Sequence, residues 1–157
     1  RRGADRAEAE YVGEPRPSGV IGRLLAPGGG IVEHTDRFLM PSIAQVEYRI
    51  GEHNHLLNTT AMTPVTGYET RLWAVIQLRL RLPSRLVAPF VTPLAMRILR
   101  QDAAVLATQS ATIHRHGGED FTSTEVDVLG PHIWKLMAAA ARGEAVAPFE
   151  RQVTMAV

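Results

Sequence analysis

Asp102 is the residue whose surroundings most invite chemistry. It sits in the run Ile98-Leu99-Arg100-Gln101-Asp102-Ala103-Ala104-Val105-Leu106. At helical spacing it shares a face with Ala95, Ile98, Leu99, Val105, Leu106, Gln109 and Ile113. The other early members of that stripe are apolar, so the carboxylate points where a core is expected. Asp102 is also the only acid between Glu69 and Glu119, a stretch with seven arginines. An ionised group at a core position is costly unless a cation or metal receives it. Residue type and spacing leave two readings open. Either a buried Asp pairs with one of those arginines, or a carboxylate serves a metal or a reaction.

The remaining candidates are weaker. His53 and His55 are two apart on an expected strand, so both leave one face and could chelate a metal. A polar pair beside a turn, flanked by Glu52 and Asn54, explains them as well. His114 and His116 fall at an expected helix end, where a cationic ring interacts favourably with the dipole. Gly28-Gly29-Gly30 has no following Lys-Ser or Lys-Thr and no strand–loop–helix frame, so it does not match a phosphate loop. Neither Gly-x-Ser-x-Gly nor His-Glu-x-x-His occurs. Trp73, isolated from other aromatics, reads as a core or pocket-wall residue.

The elements that must position these residues follow from periodicity. Residues 1–30 carry Gly and Pro at many positions and read as an extended arm or loop, with one short turn at Gly19 to Leu25. A first short strand is expected from Ile31 to Met40, ended by Pro41. From Ile43 the period is two: Ala44, Val46, Tyr48 and Ile50 on one face, Gln45, Glu47 and Arg49 on the other. Gly51-Glu52 reads as a tight turn, His53 to Thr63 as the next strand and Pro64 to Glu69 as a hairpin loop. Leu72, Ala74, Ile76, Leu78, Leu80 and Leu82 then alternate with Arg71, Gln77, Arg79 and Arg81 in a further strand. Short connections between sequential strands imply an antiparallel meander with one packed face and one wet face.

A long helix of roughly 23 residues should follow, about 35 Å at the usual rise. Its expected signals are Thr92 as N-cap, Pro93 at the first helical position, Arg115 and His116 in the last turn, and Gly117-Gly118 beyond. Thr122-Ser123-Thr124-Glu125 has the pattern of a capping box. Pro131 to Arg142 should form a last helix, stopped by Gly143. A tail over 144–157 follows, with one more strand at Gln152 to Val157.

Composition sets bounds. A chain of 157 residues with 45% hydrophobic content can bury one sizeable core, so a single domain is expected. A formal net charge of +1 argues against a nucleic-acid partner, which would show a clustered basic excess. With no cysteines, the chain itself holds no disulfide, thiolate zinc site or cysteine-held iron–sulfur cluster. No apolar run approaches the ~20 residues of a membrane span. The amino end, Arg-Arg-Gly-Ala-Asp, lacks both an initiating Met and a following apolar h-region. It reads as a processed chain or part of a longer one.

Two segments resemble a known family. The run Ile98 to Gln109 is similar to the C-terminal helix of the Rieske-type non-haem iron oxygenases. Thr122-Ser123-Thr124-Glu125-Val126-Asp127-Val128-Leu129-Gly130-Pro131, with the apolar helix after it, resembles the segment that follows in one branch of that family. The resemblance covers about Ile43 to Gly143. It implies an α+β fold of the helix-grip type (START/Bet v 1-like), an antiparallel sheet wrapped on a long C-terminal helix. The implied layout is an arm over 1–30, a partial helix-grip catalytic domain over 31–143 and a tail over 144–157.

In that family two histidines and one carboxylate hold a mononuclear Fe(II). The resemblance carries the carboxylate role onto Asp102, with Leu94, Ile98 and Val105 of the same helix lining a pocket. The family's histidine pair lies in an Asn-x-x-His-x(3–4)-His helix, and no such motif occurs here. Its [2Fe-2S] cluster belongs to an amino-terminal domain that this chain would lack. The resemblance implies dioxygen-dependent hydroxylation, demethylation or desaturation of a small, mostly apolar substrate, with electrons from a reductase or ferredoxin. A cytoplasmic location and a homo-oligomer fit the same picture, and the chain alone would be inactive. The rival expectation is a metal-free helix-grip module that binds a hydrophobic small molecule. A structural fragment without activity of its own is a third.

Overall fold

Strict alternation of apolar and polar side chains favours extended backbone, because period two puts one set of residues on a single face. The computed structural model describes residues 1–14, 32–50, 53–80 and 83–154. Five strands occur there: β1 (Arg6–Glu14), β2 (Val32–Leu39), β3 (Ile43–Ile50), β4 (Asn54–Pro64) and β5 (Thr70–Arg79). They form one sheet in the order β1-β2-β3-β4-β5, every neighbour antiparallel. Two helices follow, α1 (Ser84–His116) and α2 (Gly130–Ala141). The chain is therefore α+β, with an antiparallel meander ahead of its helices.

Several expectations need correction. The first 30 residues are not all arm or loop, since Arg6–Glu14 is a strand paired with β2. Its Ala and Glu residues have weak strand propensity, and burial rather than propensity accounts for it. Ala7 and Ala9 are buried, and α2 packs against β1 through an apolar face that includes buried Leu136 and Ala139. The expected turns at Gly19 to Leu25 and at Gly51-Glu52 lie outside the described residues.

The long helix begins at Ser84, not at Thr92, and runs 33 residues with Pro89 and Pro93 inside it. Proline's φ near −65° fits a helix, but an interior ring removes a hydrogen bond and presses on the carbonyl four residues back, so the sequence favours a start at Thr92-Pro93. The helix nevertheless runs through both prolines. The carboxyl end follows the expected punctuation. Gly117 adopts a left-handed conformation at φ 82°, and its N–H donates to the Ile113 carbonyl.

Thr122 to Glu125 does not form a capping box. Asp127 instead accepts a 2.6 Å bond from the Thr124 N–H, closing a turn ahead of α2. Pro131 stands in the first turn of α2, as its lack of an N–H allows. No strand forms at 152–154, and residues 155–157 lie outside the described set. The tail is tied down earlier, where Arg2 and Phe149 exchange backbone hydrogen bonds of 2.7 and 3.0 Å.

The chain divides into two compact units. One comprises Arg1–Leu80 with Ser123–Val157, the other Arg81–Thr122. The first holds the sheet, α2 and a core that includes Val32, Phe38, Ile50 and Leu136. The second is essentially α1. Among the described residues, no helix is long and apolar enough to cross a membrane.

Candidate functional site

Asp102 lies near the middle of α1 and is exposed, not buried. Its own unit contains no second element against which the apolar stripe could close. Within that unit Asp102 makes no hydrogen bond or ion pair with a described residue. Leu94, about two turns before it, is half-buried. Ile98 and Val105 are 44% and 68% exposed. These residues share the helical face expected of them, but within their unit they line open surface and no closed pocket.

The strand histidines separate. His53 is exposed in the turn before β4, whereas His55 within β4 is engaged by Glu47, Nε2 to Oε1 at 2.8 Å. His114 and His116 stand in the last turn of α1. Trp73 is 63% exposed and forms no part of the core. It occupies an odd position of β5, on the charged face of the sheet and at its edge. Among the described residues there is no group of three or more His, Asp or Glu placed to hold a metal ion.

The sheet carries two features that sequence reading missed. On the polar face, Glu47 is buried and receives Arg37, Arg49 at 2.8 Å and His55 at 2.8 Å. Arg37 reaches on to Glu8 at 2.6 Å, so the network ties β1, β2, β3 and β4 together. Burial pushes the Glu47 carboxyl up. The hydrogen bonds from Arg37, Arg49 and His55 outweigh burial and hold it at about 2. The available signal was Glu47 and Arg49 alternating on one strand face, but cross-strand partners require the register.

On the opposite face His34 stacks between Tyr11 and Tyr48, with ring centroids 4.7 and 4.2 Å away. It also meets Asp36 at 2.9 Å. The row Tyr11–His34–Tyr48 follows from strand register, since each residue faces the next across β1, β2 and β3. Val32 and Ile50 form the buried apolar cluster beside it, with Tyr48, Leu56 and Leu80 packed around them.

A cavity of about 640 Å³ lies within the sheet-bearing unit, bordered by β1, the start of α2 and the tail. Its wall includes Glu8, Glu10, Asp127, His132 and Lys135, a charged lining unsuited to an apolar substrate. His132 is held below its ordinary proton affinity, first by burial and then by Arg2. In its neutral form it accepts from the Arg2 guanidinium, with Nη1 3.3 Å from Nδ1.

The chain matches no family model, no curated protein and no solved structure.

The depressed Glu47 carboxyl has a direct consequence. Its folded value lies below the ordinary 4.5, so it contributes stability that is fully present above about 4.5. That contribution, about 3 kcal/mol by linkage, is lost as pH falls toward 2. Denaturant midpoints measured from pH 5 to 2 should fall more steeply for the native chain than for Glu47→Gln. Parallel profiles would show that the network does not govern acid stability.

Proposed function

We propose that this chain is the carboxylate-bearing part of a Rieske-type mononuclear iron oxygenase catalytic domain. The observation that carries the reading is the state of Asp102. It stands near the middle of a 33-residue helix, exposed and uncommitted to any described cation of its own unit. A carboxylate in that state is available to a metal. The element order, an antiparallel meander followed by a long helix, is compatible with a helix-grip domain. The wrapping of sheet around helix belongs to the proposal.

The described residues do not by themselves fit the iron. They offer no three-ligand group, and one carboxylate leaves a divalent ion largely to water. On this reading both imidazole ligands come from outside the chain. So do the [2Fe-2S] cluster and the reductase or ferredoxin that would supply electrons. The chain contributes negative charge at Asp102 and an apolar helix face at Leu94, Ile98 and Val105. That face suits a small, mostly apolar substrate, and the chemistry an iron held with outside ligands would supply is dioxygen-dependent hydroxylation, demethylation or desaturation.

Metal analysis tests the proposal in two parts. The native protein, purified without oxygen, is expected to hold mononuclear iron beyond that of any iron–sulfur cluster. The isolated chain is expected to bind ferrous iron weakly. Tight, stoichiometric iron on the isolated chain would overturn the division of ligands. A native protein without iron that still binds an apolar ligand would replace this reading with a metal-free binding module.

A further inference from the structure

The two edges of the sheet are treated differently. β1 is closed by the amino-terminal residues folding back along it. Arg1 and Glu8 exchange backbone hydrogen bonds of 2.7 and 2.8 Å, and Arg2 bridges to Ala7. The β1–β2 register also shifts between Tyr11 and Glu14. Covering segments and bulges are ways in which proteins keep sheet edges from pairing.

β5 carries none of these devices. It runs against β4 without a register break, from His55↔Arg79 to Pro64↔Thr70. No described residue pairs with its outer edge. Leu72, Trp73, Val75 and Ile76 are 47, 63, 57 and 38% exposed, and no proline interrupts the strand. A long, regular, apolar edge is a template for another strand.

We propose that β5 pairs antiparallel with β5 of a second copy of this chain, about a two-fold axis at Ala74. The strand's own sequence selects this occupant. With Ala74 opposite itself, Trp73 faces Val75 and Leu72 faces Ile76 of the second copy, each pair occurring twice. Aromatic and branched apolar pairs of this kind stabilise neighbouring strands. Arg71 faces Gln77, and Glu69, just before the strand, faces Arg79 at both ends of the pairing. The surface is self-complementary, as an isologous contact requires.

Other registers are poorer. A one-residue slip would set residues of opposite faces against each other. Centring on Val75 would place Arg71 against Arg79 twice. Centring on Trp73 would set Glu69 against Gln77 and Arg79 against Gly67, leaving both charges unmatched. The Ala74 register alone among these joins apolar to apolar and acid to base. It uses only the sheet-bearing unit and is independent of the iron reading.

The absence of cysteine from the chain makes the test clean. Opposed Cα atoms in an antiparallel pair are about 4.5–5.5 Å apart, inside the disulfide range. Ala74→Cys should therefore convert to a disulfide-linked dimer under mild oxidation. Leu72→Cys should not, because its twin lies about 13 Å away along the strand.

Sedimentation provides the second measurement. Arg79→Glu should weaken dimerisation by about tenfold or more, by setting acid against Glu69 at two places. The charge swap Glu69→Arg with Arg79→Glu should recover it to within about threefold of the native chain. A native chain that stays monomeric at every concentration overturns the proposal. Equal cross-linking of the two cysteine variants, or a swap that fails to recover pairing, overturns it as well.

Discussion

Asp102→Ala in the iron-loaded protein is expected to abolish iron retention and dioxygen-dependent turnover together. Altering a residue that merely supports a metal ligand costs about 10–100-fold in affinity. Removing a ligand that also neutralises the metal should exceed that range. Folding should survive the change. Asp102 is exposed in the middle of a helix, has no partner to lose, and Ala is the better helix former by up to about 0.7 kcal/mol. Loss of iron with an unchanged or slightly raised melting temperature therefore distinguishes a ligand from a structural residue. His53→Ala and His55→Ala should leave iron content unchanged, since neither belongs to the proposed ligand set. Iron measured on the three purified variants decides between these outcomes. A normal value for Asp102→Ala would remove the case for an oxygenase.

Glu47→Ala should produce the opposite pattern, a large loss of stability with no direct effect on metal. The substitution leaves Arg37, Arg49 and His55 without the acceptor that gathers them. Arg37 retains Glu8, which limits the damage. Removing one partner from a buried ionic network costs about 3–5 kcal/mol. The lower end applies here because Arg49 is well exposed, its side chain at 59%. In a chain of this size each kcal/mol shifts the midpoint by about 2–4 °C, so the sheet should melt roughly 6–12 °C lower. Thermal unfolding followed by circular dichroism at neutral pH reads this directly. A shift of only a degree or two would mean that neighbouring carboxylates or water replace Glu47.

The β3 strand shows how far the sequence carried. Ile43–Ile50 is read from its alternation alone, bounds included, because one packed face demands period two. The adjoining strands and the glycine stop of α1 are read nearly as closely, for equally local reasons. β1 was not legible. Its Ala-Glu alternation has little strand propensity, and it is extended where Ala7 and Ala9 are buried and α2, more than a hundred residues away, packs against the strand. The start of α1 was misread at Thr92, because proline is favoured at a first turn and disfavoured in the interior, yet the helix continues through Pro89 and Pro93.

The candidate site divides in the same way. Sequence by itself determined that Asp102 is the lone acid on an apolar helical stripe, flanked by Leu94, Ile98 and Val105. It determined also that the chain has no cysteine and no Asn-x-x-His-x(3–4)-His motif. Only the tertiary structure decided that Asp102 is exposed and unpaired within its own unit, since spacing tells which residues share a face and not what covers that face. Tertiary structure alone brought Glu8, Arg37, Glu47, Arg49 and His55 into one network, and Tyr11, His34 and Tyr48 into one stack. Those groupings depend on strand register, which joins residues up to 33 positions apart in the chain, as in Arg6 with Leu39. Local pattern sets the period of each strand, but long-range pairing sets which charges and rings meet.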